Sequence, residues 1–82
     1  MFSVYILQSQ KNGKYYIGST SDIDKRLIVH NKGYSVYTKR NGSFKLVYKE
    51  DYQTLSEARR REYYLKSLKS SKAIEKLIIA AI

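Results

Sequence analysis

The N-terminal segment constrains the fold most, because it has the pattern of a β-hairpin. Over residues 2–7, side chains alternate between an apolar set and a second, mixed set, as they do along a strand with two different faces. The dipeptide Asn12-Gly13 separates this run from a second one, at residues 15–18. Asn-Gly is a strong signal for a tight hairpin turn. The sequence therefore predicts two paired antiparallel strands.

Two tyrosines fall on one face of this hairpin. Tyr5 and Tyr16 are an odd number of positions apart, so a turn with an even number of residues places both on the same face. Gly18 shares that face, where its missing side chain would let a phosphate or another backbone approach closely. A simple β-bulge is the alternative explanation for Gly18. The opposite face carries the apolar residues Phe2, Val4, Ile6, Tyr15 and Ile17.

A helix is predicted after the hairpin. Ser21 and the acidic residues that follow it are typical of a helix N-terminus, and the helix extends to about Asn31. Arg26 and His30 are four residues apart and therefore share one flank of this helix. We expect the two side chains to act together.

The next segment, residues 34–43, mixes turn-forming and basic residues without a clear period, which predicts a loop or a short helix. Lys39 and Arg40 within it are candidates for contacts with a nucleic acid backbone. After this segment, Phe44, Leu46 and Tyr48 alternate with residues of another kind, which predicts a third strand paired with the hairpin.

A long helix is predicted from the capping box that begins at Thr54 and ends at Glu57. Its core-facing stripe is completed by Glu62 rather than by an apolar residue. Burying an unpaired carboxylate costs several kcal/mol, so Glu62 should meet a cation, a hydrogen-bond donor or a metal ion. The alternative is an ion pair with Arg59 or Lys66 on the same helix.

The last predicted helix begins after Ser70 or Ser71, and one of its faces is apolar. That face is suited either to covering the core or to forming a homodimer interface. The whole chain, residues 1–82, is expected to form one α+β domain, because 82 residues leave no room for a second core.

Composition narrows the class of partner. The chain has no cysteine, which excludes disulfides, and its formal net charge of +9 favours anionic partners. Aromatic residues are interleaved with the basic ones, which favours nucleic acid over an acidic membrane surface. The sequence contains neither a secretory signal nor an apolar run long enough to span a bilayer, so we expect a cytoplasmic protein without a membrane role.

Several of these residues together resemble a known family. Val4-Tyr5, Tyr16-Ile17-Gly18, Arg26, His30 and Glu62 resemble, in order and spacing, the motifs of the GIY-YIG nuclease superfamily. The resemblance extends over nearly the whole chain and looks closest to short stand-alone members, related to the N-terminal domain of the bacterial excision-repair nuclease. It implies a three-stranded antiparallel sheet flanked by helices, in the order β-β-α-β-α-α.

The resemblance also implies a divalent-metal-dependent endonuclease that acts on nucleic acid, with DNA preferred, in repair or processing. By this resemblance, Glu62 would hold one Mg²⁺ or Mn²⁺ ion and Arg26 would neutralise charge on the phosphate. Tyr5 or Tyr16 would position or deprotonate the attacking water. A tyrosine near a cation loses its own proton more readily than a free tyrosine does. His30 would assist as a proton shuttle or as the hydrogen-bond partner of a tyrosine.

Some features depart from the family pattern. Ser3 stands where the first motif has its glycine, and no asparagine follows Asn41, although several members carry one late in the domain. Family members usually owe their targeting to an appended DNA-binding domain, so this chain would need a targeting partner for sequence specificity. A non-catalytic nucleic-acid-binding module that acts with a partner is therefore the alternative function.

Overall fold

The computed structural model of the protein describes residues 1–31 and 43–81, together with their side chains except those of residues 29–31. Three strands and three helices lie in this part of the chain. They are β1 (Phe2–Ser9), β2 (Tyr15–Thr20), α1 (Ile23–Asn31), β3 (Phe44–Tyr52), α2 (Leu55–Ser67) and α3 (Ser71–Ala80). The order of the described elements is the β-β-α-β-α-α order predicted for an α+β fold, and that prediction is confirmed.

The three strands form one antiparallel sheet in which β1 lies between β2 and β3. The hairpin between β1 and β2 turns through Gly13, whose φ of 75° lies in the left-handed region that favours glycine. The Ser9 N–H donates to the Lys14 carbonyl at 2.9 Å, so the loop comprises residues 10–13, an even number. Tyr5 pairs with Gly18 and Leu7 with Tyr16, which confirms that both tyrosines share a face.

Both faces of the sheet are covered, each by its own apolar cluster. The first face packs against α2 and α3, and its buried members are Val4, Ile6, Ala58, Leu65 and Ile74. The tyrosine face packs against α1, with Tyr5, Leu7 and Phe44 buried there. Tyr5 is only 2% exposed, so the face predicted to carry the site is also a core surface.

A β-bulge divides β3 into two halves with different surroundings. Ile6 of β1 lies opposite Tyr48, but the next residue, Leu7, lies opposite Leu46, which leaves Val47 as the extra residue. Leu46 therefore packs on the tyrosine face, whereas Tyr48 packs on the other face. The simple alternation expected from the sequence is wrong beyond Leu46, because periodicity alone does not reveal an inserted residue.

The N-terminus of α1 is capped one residue later than predicted. Asp22, not Ser21, provides the cap: its Oδ1 accepts from the Lys25 N–H at 3.1 Å and its carbonyl accepts from the Arg26 N–H at 3.1 Å. The Thr20 hydroxyl in turn accepts from the Asp22 N–H at 3.1 Å. These bonds fix where α1 leaves the end of β2, and so where Arg26 lies.

The caps of the other two helices are as predicted. Thr54 caps α2 by accepting from the Glu57 N–H at 3.2 Å, and Ser70 caps α3 by accepting from the Ala73 N–H at 3.3 Å. Ile74 of α3 is buried in the first cluster, so this helix covers the core. None of the helices in the described part of the chain is long and apolar enough to span a membrane.

A cluster of hydrogen-bonded polar side chains connects β3 to α2. The Glu50 carboxylate accepts from the hydroxyl of Tyr48, from that of Tyr52 at 2.6 Å, and from Arg61 Nε and an Arg61 terminal nitrogen at 3.0 and 3.2 Å. Burial alone would raise the pKa of Glu50, but the tyrosine hydroxyls and the guanidinium outweigh it, and the pKa lies below its ordinary value. The carboxylate is fully hydrogen-bonded, which indicates a structural role.

Replacing this carboxylate should destabilise the protein in a pH-dependent way. Because the pKa of Glu50 is lowered on folding, its contribution to the free energy of unfolding is present above the unfolded pKa and is lost as pH falls through the folded one. We expect Glu50→Gln to reduce that free energy by about 2 kcal/mol at neutral pH, a typical value for hydrogen bonds to a charged group. Urea unfolding at neutral pH and near pH 3 should show the difference shrinking under acid conditions.

Glu75→Gln is the matched control, because Glu75 is exposed on α3. It should leave the free energy of unfolding nearly unchanged at both pH values. Equal stability of the Glu50 and Glu75 variants at neutral pH would contradict a structural role for the cluster.

Candidate active site

The site is centred on the ring of Tyr5, which lies directly over Gly18 of the neighbouring strand. A Cβ atom added to Gly18 would lie 2.6 Å from Tyr5 Cζ, closer than real Cβ atoms come to other atoms. Pairing between β1 and β2 is regular here, so Gly18 does not mark a bulge. The space left by the absent side chain is filled by the Tyr5 ring. Gly18 is therefore needed to admit Tyr5, and no open cradle for a phosphate remains at Gly18 itself.

Three of the other predicted residues act electrostatically on the hydroxyl of Tyr5. Burial raises the pKa of this phenol to about 12; the Arg26 guanidinium acts to lower it, and the nearby Tyr16 and Glu62 raise it further. All three groups lie near enough to the phenol to influence it electrostatically, although Glu62 bonds to Ser19 on the other face of the sheet. The structure thus brings together residues from β1, β2, α1 and α2.

The high pKa of Tyr5 changes what this residue can do. Burial outweighs the lowering effect of the Arg26 guanidinium on this pKa. At neutral pH the Tyr5 hydroxyl keeps its proton and is a hydrogen-bond donor as well as an acceptor. Tyr5 is accordingly suited to orienting a group rather than to accepting a proton.

Glu62 lies on α2, where two side chains engage its carboxylate. Oε1 accepts from the Ser19 hydroxyl at 2.5 Å, and Oε2 forms an ion pair with Lys66 Nζ at 2.7 Å. Burial acts to raise the pKa of Glu62, but Lys66 and Ser19, with a further contribution from Arg59, lower it below its ordinary value. Glu62 is therefore ionised at neutral pH. The structure shows the alternative given for it, an ion pair with Lys66 on the same helix, together with a hydrogen bond from Ser19.

Ser19 is the residue of this site that sequence reasoning missed. It follows Gly18 on β2 and, because side chains alternate, it points to the opposite face from Tyr5. The available signal was that Ser19 ends the apolar stripe of Tyr15 and Ile17, just as Glu62 interrupts the stripe of α2. Two polar residues in facing apolar stripes are a pattern that indicates a hydrogen bond between them.

Arg26 is exposed on α1, beside a shallow depression of about 300 Å³ that Thr20, Ser21, Asp22 and Lys25 also line. His30 lies in the same helix, one turn after Arg26, and its side chain is outside the described part of the structure. Lys39 and Arg40 also lie outside the described residues. The exposed guanidinium of Arg26 is accessible to an anion from solvent.

The donor set around Glu62 fits a divalent cation held by a single carboxylate. Within residues 1–28 and 43–81, no three His, Cys, Asp or Glu side chains come together. Mg²⁺ commonly keeps several waters and takes only one or two carboxylates from the protein, so one ionised carboxylate is sufficient. A cation, the Lys66 ammonium, already pairs with Glu62. This position therefore favours positive charge.

Ser3, which departs from the motif, has a partner in the structure. Its buried hydroxyl donates to Asp51 Oδ1 at 2.7 Å, across the paired strands β1 and β3. The serine thus adds a side-chain bond at a position where a glycine would have none.

Comparison with known proteins agrees with this geometry. Residues 1–76 match the model of the GIY-YIG catalytic domain. The chain is 41% identical over 73 residues to a UPF0213 protein of Staphylococcus saprophyticus, with 88% of each chain covered. It is 40% identical over 73 residues to a UPF0213 protein of Clostridium perfringens, and this match covers 88% of this chain and 77% of the relative.

A solved structure is similar as well. The solution NMR structure of a UPF0213 protein from Bacillus halodurans has a TM-score of 0.62 and 36% sequence identity, covering 98% of this chain and 85% of that one. The name UPF0213 states no activity. Since the family model spans most of the chain and these relatives are more than 30% identical, the protein belongs to the GIY-YIG family and is related to its UPF0213 members.

Proposed function

We propose that this protein is a divalent-metal-dependent endonuclease that hydrolyses nucleic-acid phosphodiesters. The observation that carries the proposal is that Arg26, Tyr16 and Glu62, from three different elements, all act electrostatically on the buried phenol of Tyr5. A buried phenol, an ionised carboxylate and an exposed guanidinium are suited to holding a water and a phosphate side by side. A structural role alone would not require both a cationic and an anionic group to act on one buried tyrosine.

Glu62 would hold the metal ion, Mg²⁺ or Mn²⁺. When bound, such an ion polarises the phosphoryl oxygens and neutralises charge that develops in the transition state. Ser19 would fix the orientation of the carboxylate through the hydrogen bond at Oε1. Lys66, whose side chain is 54% exposed, would leave Oε2 without leaving a buried group unpaired.

The other residues would act on the phosphate and the water. Arg26 would bind two phosphate oxygens through parallel N–H groups. Tyr5 or Tyr16 would position the water or assist in removing its proton. The raised pKa of Tyr5, about 12, suits this residue to orienting the water or the phosphate through a hydrogen bond from its hydroxyl. His30 would serve as the proton shuttle, since its unperturbed pKa lies closest to neutrality.

We further propose that the substrate is DNA, met in the cytoplasm during repair or processing, with Lys39 and Arg40 along its backbone. The net charge of +9 supports binding to a polyanion without base specificity. A targeting partner, or a second copy of the chain, would then supply specificity.

One observation favours a second function, a non-catalytic nucleic-acid-binding module. In the protein without metal, Lys66 already neutralises Glu62 at 2.7 Å, so the carboxylate is satisfied without a cation from solvent. A binding module would keep the basic surface and would use Glu62 only to hold α2 against β2 through Ser19.

Incubation of supercoiled plasmid and of a branched DNA with the protein separates the two functions. An endonuclease gives nicked and linear products with Mg²⁺ or Mn²⁺ and none with EDTA. A Glu62→Gln variant purified in parallel controls for contaminating nucleases. Binding of both substrates without any metal-dependent product would overturn the nuclease and favour the binding module.

A further inference from the structure

A groove next to Glu62 has features that the proposed function does not use. It lies between the tip of the β1–β2 hairpin and the junction of α2 with α3, and has a volume of about 490 Å³. This falls within the range of small-ligand sites in proteins, roughly 300–1,000 Å³. Its floor is apolar, formed by Ile17, Leu65 and Ile74, and Tyr15 stands beside it.

The rim of this groove is basic. Lys14 projects from the hairpin side, and Lys66 and Lys69 project from the end of α2. Among the described residues that line the groove, there is no Asp or Glu. Lys66 is paired with Glu62 beside the groove, whereas Lys14 and Lys69 act on a lining whose described residues include no carboxylate. The N-terminus of α3, whose dipole is positive, opens at the same edge.

Apolar floor and basic rim together indicate the class of ligand. A duplex presents a convex, charged backbone and keeps its bases stacked inside, so it gains nothing from an apolar concavity. An unpaired nucleotide can place its base on an aromatic and apolar surface while its phosphates meet lysines at the edge. The groove is therefore suited to single-stranded nucleic acid.

Lys66 connects the groove to the candidate active site. It lines the groove and also pairs with Glu62 Oε2 at 2.7 Å. A strand that occupies the groove would offer phosphates to Lys66 and so release it from Glu62, which leaves this carboxylate available for a metal ion. Strand binding and metal binding would then support each other.

We propose that this groove binds an unpaired segment of the nucleic acid and leads it to Glu62, so that the protein prefers substrates with a single-stranded region over continuous duplex. The inference rests on the proposed function in taking Glu62 as the point of attack. Binding in the groove is measured without metal and is therefore tested separately from cleavage.

The test compares two double variants that remove equal charge. Lys14→Gln with Lys69→Gln changes the groove, whereas Lys45→Gln with Lys76→Gln changes exposed lysines outside it. Affinity for a short labelled single strand, and for the same sequence as duplex, is measured by fluorescence anisotropy in EDTA over a range of salt concentrations.

We expect the groove variant to bind the single strand at least tenfold more weakly than the wild type, and the control variant to lose much less. Each phosphate contact with a single strand contributes about 0.7 to the salt slope, so the slope should fall by about 1.4 in the groove variant alone. Amide signals of Gly13 and Ser71, at opposite sides of the groove, should shift with the single strand in NMR spectra.

Three outcomes would overturn the inference: equal losses in the two double variants, duplex bound as tightly as the single strand, or inorganic polyphosphate competing as well as the oligonucleotide. The last would show that the apolar floor has no role. If single strands bind in the groove as expected but no metal supports cleavage, the groove is supported and the nuclease function is overturned.

Discussion

Glu62→Gln should abolish metal-dependent cleavage while leaving the fold intact. The amide can still accept the Ser19 hydroxyl, but it carries no charge for a cation. Loss of a Lewis acid worth several kcal/mol in the transition state corresponds to a rate decrease of about 10³-fold or more. Cleavage of supercoiled plasmid under single-turnover conditions measures the loss, and calorimetric titration with Mn²⁺ should show that metal binding is lost as well.

Stability separates this effect from misfolding. The ion pair between Glu62 and the exposed Lys66 is an i,i+4 pair, and such pairs contribute about 0.3–0.5 kcal/mol. The free energy of unfolding should therefore change by less than about 1 kcal/mol. Glu75→Gln, an exposed change on α3, should cleave like the wild type. Wild-type cleavage by Glu62→Gln would remove this residue from the mechanism.

Arg26→Ala is expected to lower turnover by about 10²–10³-fold, the cost typically seen when a group that stabilises transition-state charge is removed. Arg26 is exposed beside the buried phenol of Tyr5, so it can reach a phosphate from solvent without a loss of core packing. Arg26→Lys should recover only part of the rate, because an ammonium group cannot make two parallel hydrogen bonds to a phosphate. Steady-state kinetics should show the loss in kcat rather than in KM.

Lys25→Ala is the control for Arg26, since it removes the same charge from the neighbouring exposed position of α1. It should weaken binding slightly and leave kcat unchanged. Similar kcat values for Arg26→Lys and the wild type would mean that only charge matters at this position. If Lys25→Ala lowered kcat as much as Arg26→Ala, the effect would come from the overall positive charge of α1 and not from Arg26 itself.

Local signals predicted the elements of the fold well. The Asn12-Gly13 turn, the cap at Thr54 and the cap at Ser70 act within a few residues, and each is found where the sequence indicates it. Periodicity also predicted that Tyr5 and Tyr16 share a face. Such features depend on neighbours along the chain, which the sequence displays directly.

Features that depend on distant contacts were not predictable in the same way. The pKa of Tyr5 follows from how deeply β1 is buried between the two clusters, and the bond from Ser19 to Glu62 joins residues 43 positions apart. In these two cases tertiary packing selected one of several conformations that the local sequence allows. The cap of α1 at Asp22 rather than Ser21 is a local feature, in which the Thr20 hydroxyl accepts from the Asp22 N–H, and the sequence offered both residues as caps.

The bulge at Val47 makes the protein sensitive to the length of β3 as well as to its side chains. Residues before it belong to the core under α1, and residues after it, including Glu50, belong to the core under α2. A deletion of Val47 itself would remove the bulge and keep this register, whereas a deletion between Val47 and Glu50 would turn Glu50 away from Arg61. Among homologous chains, substitutions in this strand should therefore be much more common than insertions or deletions.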